Sequence, residues 1–234
     1  IRYHFPYLLL AISLLIIFIL MFFSHLPSMK PGDDEKFTVK GIIKEAKTYK
    51  HLIYGVWAMF FYMGAEACTA GFFIPYLKSV LGFSDGKAAE YLTLYYILTA
   101  VMGIIAVFIL KYIKAHILVG LYGMGMILFF TLCIFFNTGY NELFLAGLGL
   151  FLSIMFPTIF SLAIEDIGAF TGKGSALVNF ALIGGSIFPP IQGLIADRYG
   201  VQLSYIVPLI CFVMITIYAL FFTREAIVKR NGQP

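Results

Sequence analysis

Apolar stretches long enough to cross a bilayer recur along the whole chain, and this spacing decides what class of structure it can form. A helix rises 1.5 Å per residue, so about 20 residues cross the roughly 30 Å hydrocarbon core of a membrane. The stretches run from Phe5 to Phe23, Leu52 to Leu77, Ala89 to Leu110, Ile117 to Phe136, Leu143 to Ile164, Ser175 to Ile195 and Val201 to Phe222. Hydrophobic residues make up 61% of the sequence, charged residues 12%, and the mean hydropathy is +0.94. A soluble domain carries about 25% charged residues, so this chain lacks the polar surface to cover one. An all-α membrane protein with seven transmembrane helices, seated in the lipid bilayer, is expected.

The sequence begins at Ile1 and enters the first apolar stretch with no basic n-region and no cleavage site. It is therefore read as a piece of a longer protein and not as one headed by a signal peptide. Only one connection is long. From His25 to Lys50 it mixes Pro27, Pro31 and Gly32 with dense charge of both signs, as a linker would, and a short amphipathic helix is expected near Val39 to Tyr49. The layout expected is a first helix (1–24), an interdomain linker (25–50), a six-helix domain (51–223) and a tail (224–234).

The net charge of +4 does not point to nucleic acid, because the basic residues lie between apolar stretches with no stacking platform around them. Sorted by side of the membrane they fall twelve to four. The linker, the third-to-fourth turn (Lys111, Lys114), the fifth-to-sixth turn (Lys173) and the tail (Arg224, Lys229, Arg230) hold the twelve; Arg2, Lys78, Lys87 and Arg198 are the four. The positive-inside rule then places the linker and the C-terminus in the cytoplasm.

Candidate chemistry is sparse. Cys68, Cys133 and Cys211 fall within apolar stretches without paired spacing or neighbouring histidines, so neither a disulfide framework nor a metal site is expected. Gly172-Lys173-Gly174-Ser175 lacks the spacing of a phosphate loop and reads as a turn into a helix capped by Ser175. Gly120 to Gly125 has no strand before it, so no dinucleotide is expected, and no other cofactor is. Asp197-Arg198-Tyr199 follows the sixth stretch, on the outer side, and not the inner end of the third as in G-protein-coupled receptors. Nothing in the sequence suggests an enzyme.

Polar residues are uneven among the stretches. The second, third, fifth and sixth carry Tyr62, Glu66, Thr69, Thr93, Tyr95, Tyr96, Thr99, Ser153, Thr158, Ser161, Asn179, Ser186 and Gln192, and are expected to line a wet pathway. The first, fourth and seventh hold little beyond Ser13, Thr131, Thr216 and Tyr218, and should touch lipid. Glu66 is the only carboxylate deep in a stretch, and an ionised group is costly at that depth. Spacings of four, three and four put Tyr62, Glu66, Thr69 and Phe73 on one helical face, a set of hydroxyl, carboxyl and ring suited to a sugar. The alternative is that Glu66 bonds a neighbouring helix. Asn179 could serve a substrate or an adjacent backbone, Gln192 reads as structural, and the run Gly184 to Pro190 should bend or break its helix.

Phe151-Leu-Ser-Ile-Met-Phe-Pro-Thr-Ile-Phe-Ser-Leu-Ala-Ile164, then Gly174-Ser175, Ile183-Gly-Gly-Ser186 and Gly193-Leu-Ile-Ala-Asp197, with Phe61-Tyr-Met-Gly-Ala-Glu66 before them, resemble the fucose-galactose-glucose:proton symporter family of the major facilitator superfamily. The resemblance runs from Leu52 to Phe222. It implies that the seven helices correspond to helices 6 to 12 of a twelve-helix protein in a bacterial inner membrane. It also implies uptake of a hexose or deoxyhexose with protons, by rocking of two halves, of which the N-terminal half is missing here. Glu66 stands where fucose-specific members carry an amide, and Met155-Phe156 where they carry a glutamine and a tyrosine, so Glu66 and Phe156 look more like glucose/galactose members. The residues expected to bind substrate are Tyr62, Glu66, Thr69, Tyr95, Phe156 and Asn179. A non-transporting scaffold or sugar sensor of the same fold is the alternative.

Overall fold

The computed structural model describes residues 5–23, 39–136 and 139–222, all of them helix or short connection. Linker residues 24–38, the tail from residue 223 and Arg2 lie outside the described residues. The chain divides after Thr38 into two units. The first holds α1 (Phe5–Phe23), whose ends coincide with those of the first apolar stretch. The second holds a short α2 (Val39–Ala46) followed by α3 (Lys50–Ser79), α4 (Asp85–Ile109), α5 (Ala115–Phe135), α6 (Asn141–Leu152), α7 (Met155–Ala163), α8 (Thr171–Phe180), α9 (Gly184–Tyr199), α10 (Val201–Ser204) and α11 (Ile206–Ile217). Among the described residues, six helices are long and apolar enough to cross a membrane, all in this second unit.

Proline explains two interruptions that hydropathy does not reveal. Pro157 has no N–H for the Ser153 carbonyl and its ring crowds that group, and the fifth span breaks there, between α6 and α7. Pro208 does the same to Ser204, where α10 gives way to α11. In the sixth span the break falls just before Gly184 to Pro190. A 3₁₀ turn at Ala181–Ile183 interrupts the helix, and α9 then runs unbroken through Pro189 and Pro190. Ser175 is likewise no cap, because α8 begins at Thr171, whose hydroxyl donates to the Gly168 carbonyl at 2.6 Å.

Helix α3 is the hub, packed against α7, α9 and α11, while α4 lies on α6 and α5 on α6 and α11. Small residues permit the closest crossings. A Cβ on Gly149 would meet the Tyr95 carbonyl oxygen and lie 2.8 Å from Thr99 Oγ1, so glycine there lets α6 touch the α4 backbone beside Tyr95.

At one end of the bundle the last carbonyls of α5, which no longer have intrahelical donors, are served by side chains from three other elements. The Cys133 carbonyl accepts from the Tyr76 hydroxyl at 2.7 Å and from Gln202 Nε2 at 3.1 Å, and Gln202 also reaches Ile134 at 3.1 Å. Asn141 Nδ2 donates to the Phe136 carbonyl at 3.0 Å and to the Tyr76 hydroxyl at 3.1 Å. Tyr76 and Asn141 are fully buried. Asn141→Ala should cost about 1–2 kcal/mol by leaving the buried Tyr76 hydroxyl and the part-buried Phe136 carbonyl without that donor. Thermal unfolding in detergent checks it, and an unchanged midpoint would show that the cap carries no weight.

Exposure ranks the spans differently from their polar content. Of the apolar windows, 11% is buried in α4 and 22% in Gly168–Tyr199, against 44–56% in the other spans. The fourth and seventh spans, expected to touch lipid, are half buried where α5 and α11 pack on one another, which leaves the other half outward. Thr69, Thr93, Thr99, Thr131 and Thr216 carry hydroxyls that need not mark water. Each donates to the carbonyl four residues back in its own helix, at 2.7–2.9 Å, and so is satisfied without water.

Candidate functional site

The α3 face expected from the sequence turns into the bundle at the break in the fifth span. Tyr62 is 2% exposed and its hydroxyl donates to the Leu152 carbonyl at 3.5 Å, a long bond to one of the terminal carbonyls of α6. Its ring lies 6.2 Å from that of Phe156, at the start of α7, which stacks in turn on Phe160 at 6.2 Å. Glu66, one turn along α3, is half buried, and its carboxyl interacts with the Tyr62 hydroxyl.

Tyr95 comes from α4. Its ring packs on Phe73 at 5.3 Å and on Tyr96 at 5.0 Å, and it acts electrostatically on both Glu66 and Tyr62. The residue is 1% exposed, and its hydroxyl has no hydrogen-bond partner among the described residues. A buried hydroxyl left unpaired is costly, and Tyr95 shares this state with Tyr122, Tyr205 and Tyr218.

The structure thus brings Tyr62, Glu66, Tyr95 and Phe156 together from α3, α4 and α7. Thr69 lies on the same face of α3 but is fully buried, with its hydroxyl committed to Ala65 at 2.7 Å. Asn179 is exposed on α8, and no described bond joins it to the cluster. Gln192 is fully buried and donates to Ser204 Oγ at 3.3 Å, linking α9 to α10. The three cysteines are buried and unbridged. Residue patterns missed the Leu152 carbonyl, although Pro157 signals the helix end that frees it.

What has been assembled is a carboxyl, two phenolic hydroxyls, a terminal helix carbonyl and an aromatic ring. Such a set has the chemistry to hold a small polyol with an apolar ring face, the carboxyl and carbonyl accepting from hydroxyls and the Tyr95 phenol donating to one, while the Tyr62 proton is committed to Leu152.

Known proteins resemble this chain over most of its length. The model of the Major Facilitator Superfamily matches residues 1–182. A glucose/galactose transporter of Brucella abortus (strain 2308) is 34% identical over 227 residues, covering 95% of this chain and 54% of that protein. The L-fucose-proton symporter of Escherichia coli (strain K12) is 25% identical over 226 residues, covering 94% and 52%. The crystal structure of a Major Facilitator Superfamily transporter in the outward conformation superposes with a TM-score of 0.80 at 25% identity, over 93% of this chain and 54% of that one. The chain spans about half the length of the relatives it matches.

Proposed function

Because this chain belongs to the Major Facilitator Superfamily, we propose that it supplies the second half, with one preceding helix, of a sugar:proton symporter working by alternating access. The observation that carries the reading is the cluster of Glu66, Tyr62, Tyr95 and Phe156 at a broken helix, since substrate sites of such transporters lie where spans are interrupted near the bilayer midplane. Glucose or galactose is the sugar proposed. The relative named for those sugars is the nearer of the two compared, at 34% against 25% identity.

In this reading α1 is helix 6 of twelve, residues 25–50 the cytoplasmic linker, residues 51–223 helices 7 to 12, and residues 224–234 a cytoplasmic tail, in a bacterial inner membrane. The partner is the remainder of a six-helix N-terminal half, to which α1 itself belongs. The outward apolar faces of α4, with Tyr96, Val101 and Ile104, and of α9, with Ile187, Ile191 and Leu194, are the surfaces such a half would cover. Asn179, exposed on α8, would meet the sugar from that side, and Thr69 would shape the floor beneath Glu66.

Proteoliposomes holding the full-length protein should accumulate labelled glucose or galactose when an inward proton gradient is imposed. Sugar binding with no uptake would mark a sensor instead, and no binding would end the reading. The topology is checked separately. A cysteine introduced at Lys40 should resist an impermeant thiol reagent added outside intact cells, and one at Asp85 should react. The reverse pattern would invert the orientation.

A further inference from the structure

Away from the site, the segment leading into α3 is tied to the connection between the fifth and sixth spans by three contacts of different kinds. Tyr49 stacks on Phe170 with ring centroids 5.6 Å apart and planes 19° from parallel. His51 Nε2 lies 2.8 Å from the Glu165 carbonyl oxygen. Lys173 Nζ lies 3.4 Å from Glu45 Oε2, the lysine also standing 5.8 Å over the Phe170 ring. Ala46, at the end of α2, is fully buried, and Phe170 is 3% exposed.

Between the Ser153–Ile154 break and the 3₁₀ turn at Ala181–Ile183, α7, the connection and α8 form a hairpin whose two ends are both interruptions in the helical ladder. Both arms of the hairpin also pack on α3 directly, and α2 packs on α3 as well, so these three contacts add to helix packing. Interrupted ladders are where a packed helix bends most readily. This hairpin carries Phe156 on one arm and Asn179 on the other.

We infer that Val39–His51 is a strap that fastens the tip of the hairpin α7–α8 to the foot of α3, and that it must let go for the hairpin to move. The ion pair is half exposed and contributes little by itself. The stacked rings and the buried Ala46 hold the strap, and the charges set its register. Through the strap, a pull on the linker reaches the helices that bear the site. The gating role rests on the transport reading; the fastening does not.

The test is a pair of substitutions, Glu45→Cys with Lys173→Cys, in the full-length protein. A cleavable thiol-to-thiol reagent that spans the reach of the two lost side chains should join them, lower sugar uptake at least tenfold and leave sugar binding within threefold, with cleavage restoring uptake. Undiminished uptake by the cross-linked protein, or failure of the cross-link to form, overturns the proposal. A measurement independent of transport stands beside it. Tyr49→Ala should speed tryptic cleavage after Lys173 at least fivefold in folded protein, because the tip is then unfastened. An unchanged rate would show that there is no strap, whereas loss of sugar binding in the unsubstituted protein would count against the transport reading alone.

Discussion

Glu66→Gln in the full-length protein should weaken sugar binding about tenfold while leaving proton-driven accumulation in place. The substitution keeps the size of the side chain and an acceptor for the Tyr62 hydroxyl, which interacts with Glu66 across one turn of α3. What it removes is the charge that the carboxyl would carry if a bound sugar hydroxyl keeps it ionised. A hydrogen bond to an ionised group contributes about 1.5–3 kcal/mol, against about 0.5–1.5 kcal/mol for a neutral pair. The difference of about 1.4 kcal/mol is one decade in affinity. Equilibrium binding of labelled glucose and uptake under an imposed gradient separate the alternatives. If accumulation disappears while sugar exchange survives, Glu66 carries the coupling proton. If affinity, accumulation and pH dependence are all those of the parent at equal expression, Glu66 is a packing group and the site lies elsewhere.

The sequence made Glu66 conspicuous because a carboxylate at bilayer depth is rare, and spacing alone put Tyr62 beside it. Phe156 could not be reached by periodicity, since the helix that presents it starts only at Met155; the resemblance of its motif supplied it. Spans were legible from apolar length to within a few residues, as α1 and α3 illustrate. Their interruptions were less so. Pro157 and Pro208 coincide with real breaks, whereas Pro189 and Pro190 lie inside an intact helix, so proline marks a weak point without deciding which side of it yields.

Hydroxyl content is a weak guide to water for a reason that recurs in membrane helices. A threonine four residues after a carbonyl can satisfy itself within its own helix, as Thr99 does on Tyr95 at 2.9 Å, and then says nothing about water. The cap on α5 was illegible for the opposite reason. Tyr76, Asn141 and Gln202 look unremarkable one by one, and their meaning comes from partners as many as 69 residues away. Contacts of that range depend on how the helices cross, and the crossings are governed by a few small residues.

Gly184 is the sharpest case, and Gly184→Ala should be among the most damaging single substitutions in the bundle. A Cβ at this position would fall on the Phe60 carbonyl oxygen of α3 and lie 2.9 Å from its carbon, so the obstruction is backbone that cannot rotate away. Relief requires moving α9 from α3, which loosens the α3–α9 packing and, with it, the helix that carries Tyr62 and Glu66. Overpacking of this kind costs about 3 kcal/mol at the upper end, and the gain of about 1 kcal/mol in helix propensity from glycine to alanine offsets only part of it. The net of about 2 kcal/mol should lower the unfolding midpoint by about 4–8 °C in a unit of this size. Gly185 provides the control. There a Cβ would meet the Met63 carbonyl oxygen at 3.5 Å and Ala67 Cβ at 3.7 Å, ordinary contact distances, so Gly185→Ala should be neutral or slightly stabilising. Thermal unfolding of both variants in the same detergent decides the matter. Equal midpoints would mean that α9 does not approach α3 as closely as Gly184 allows, and that the glycine pair is there for bending instead.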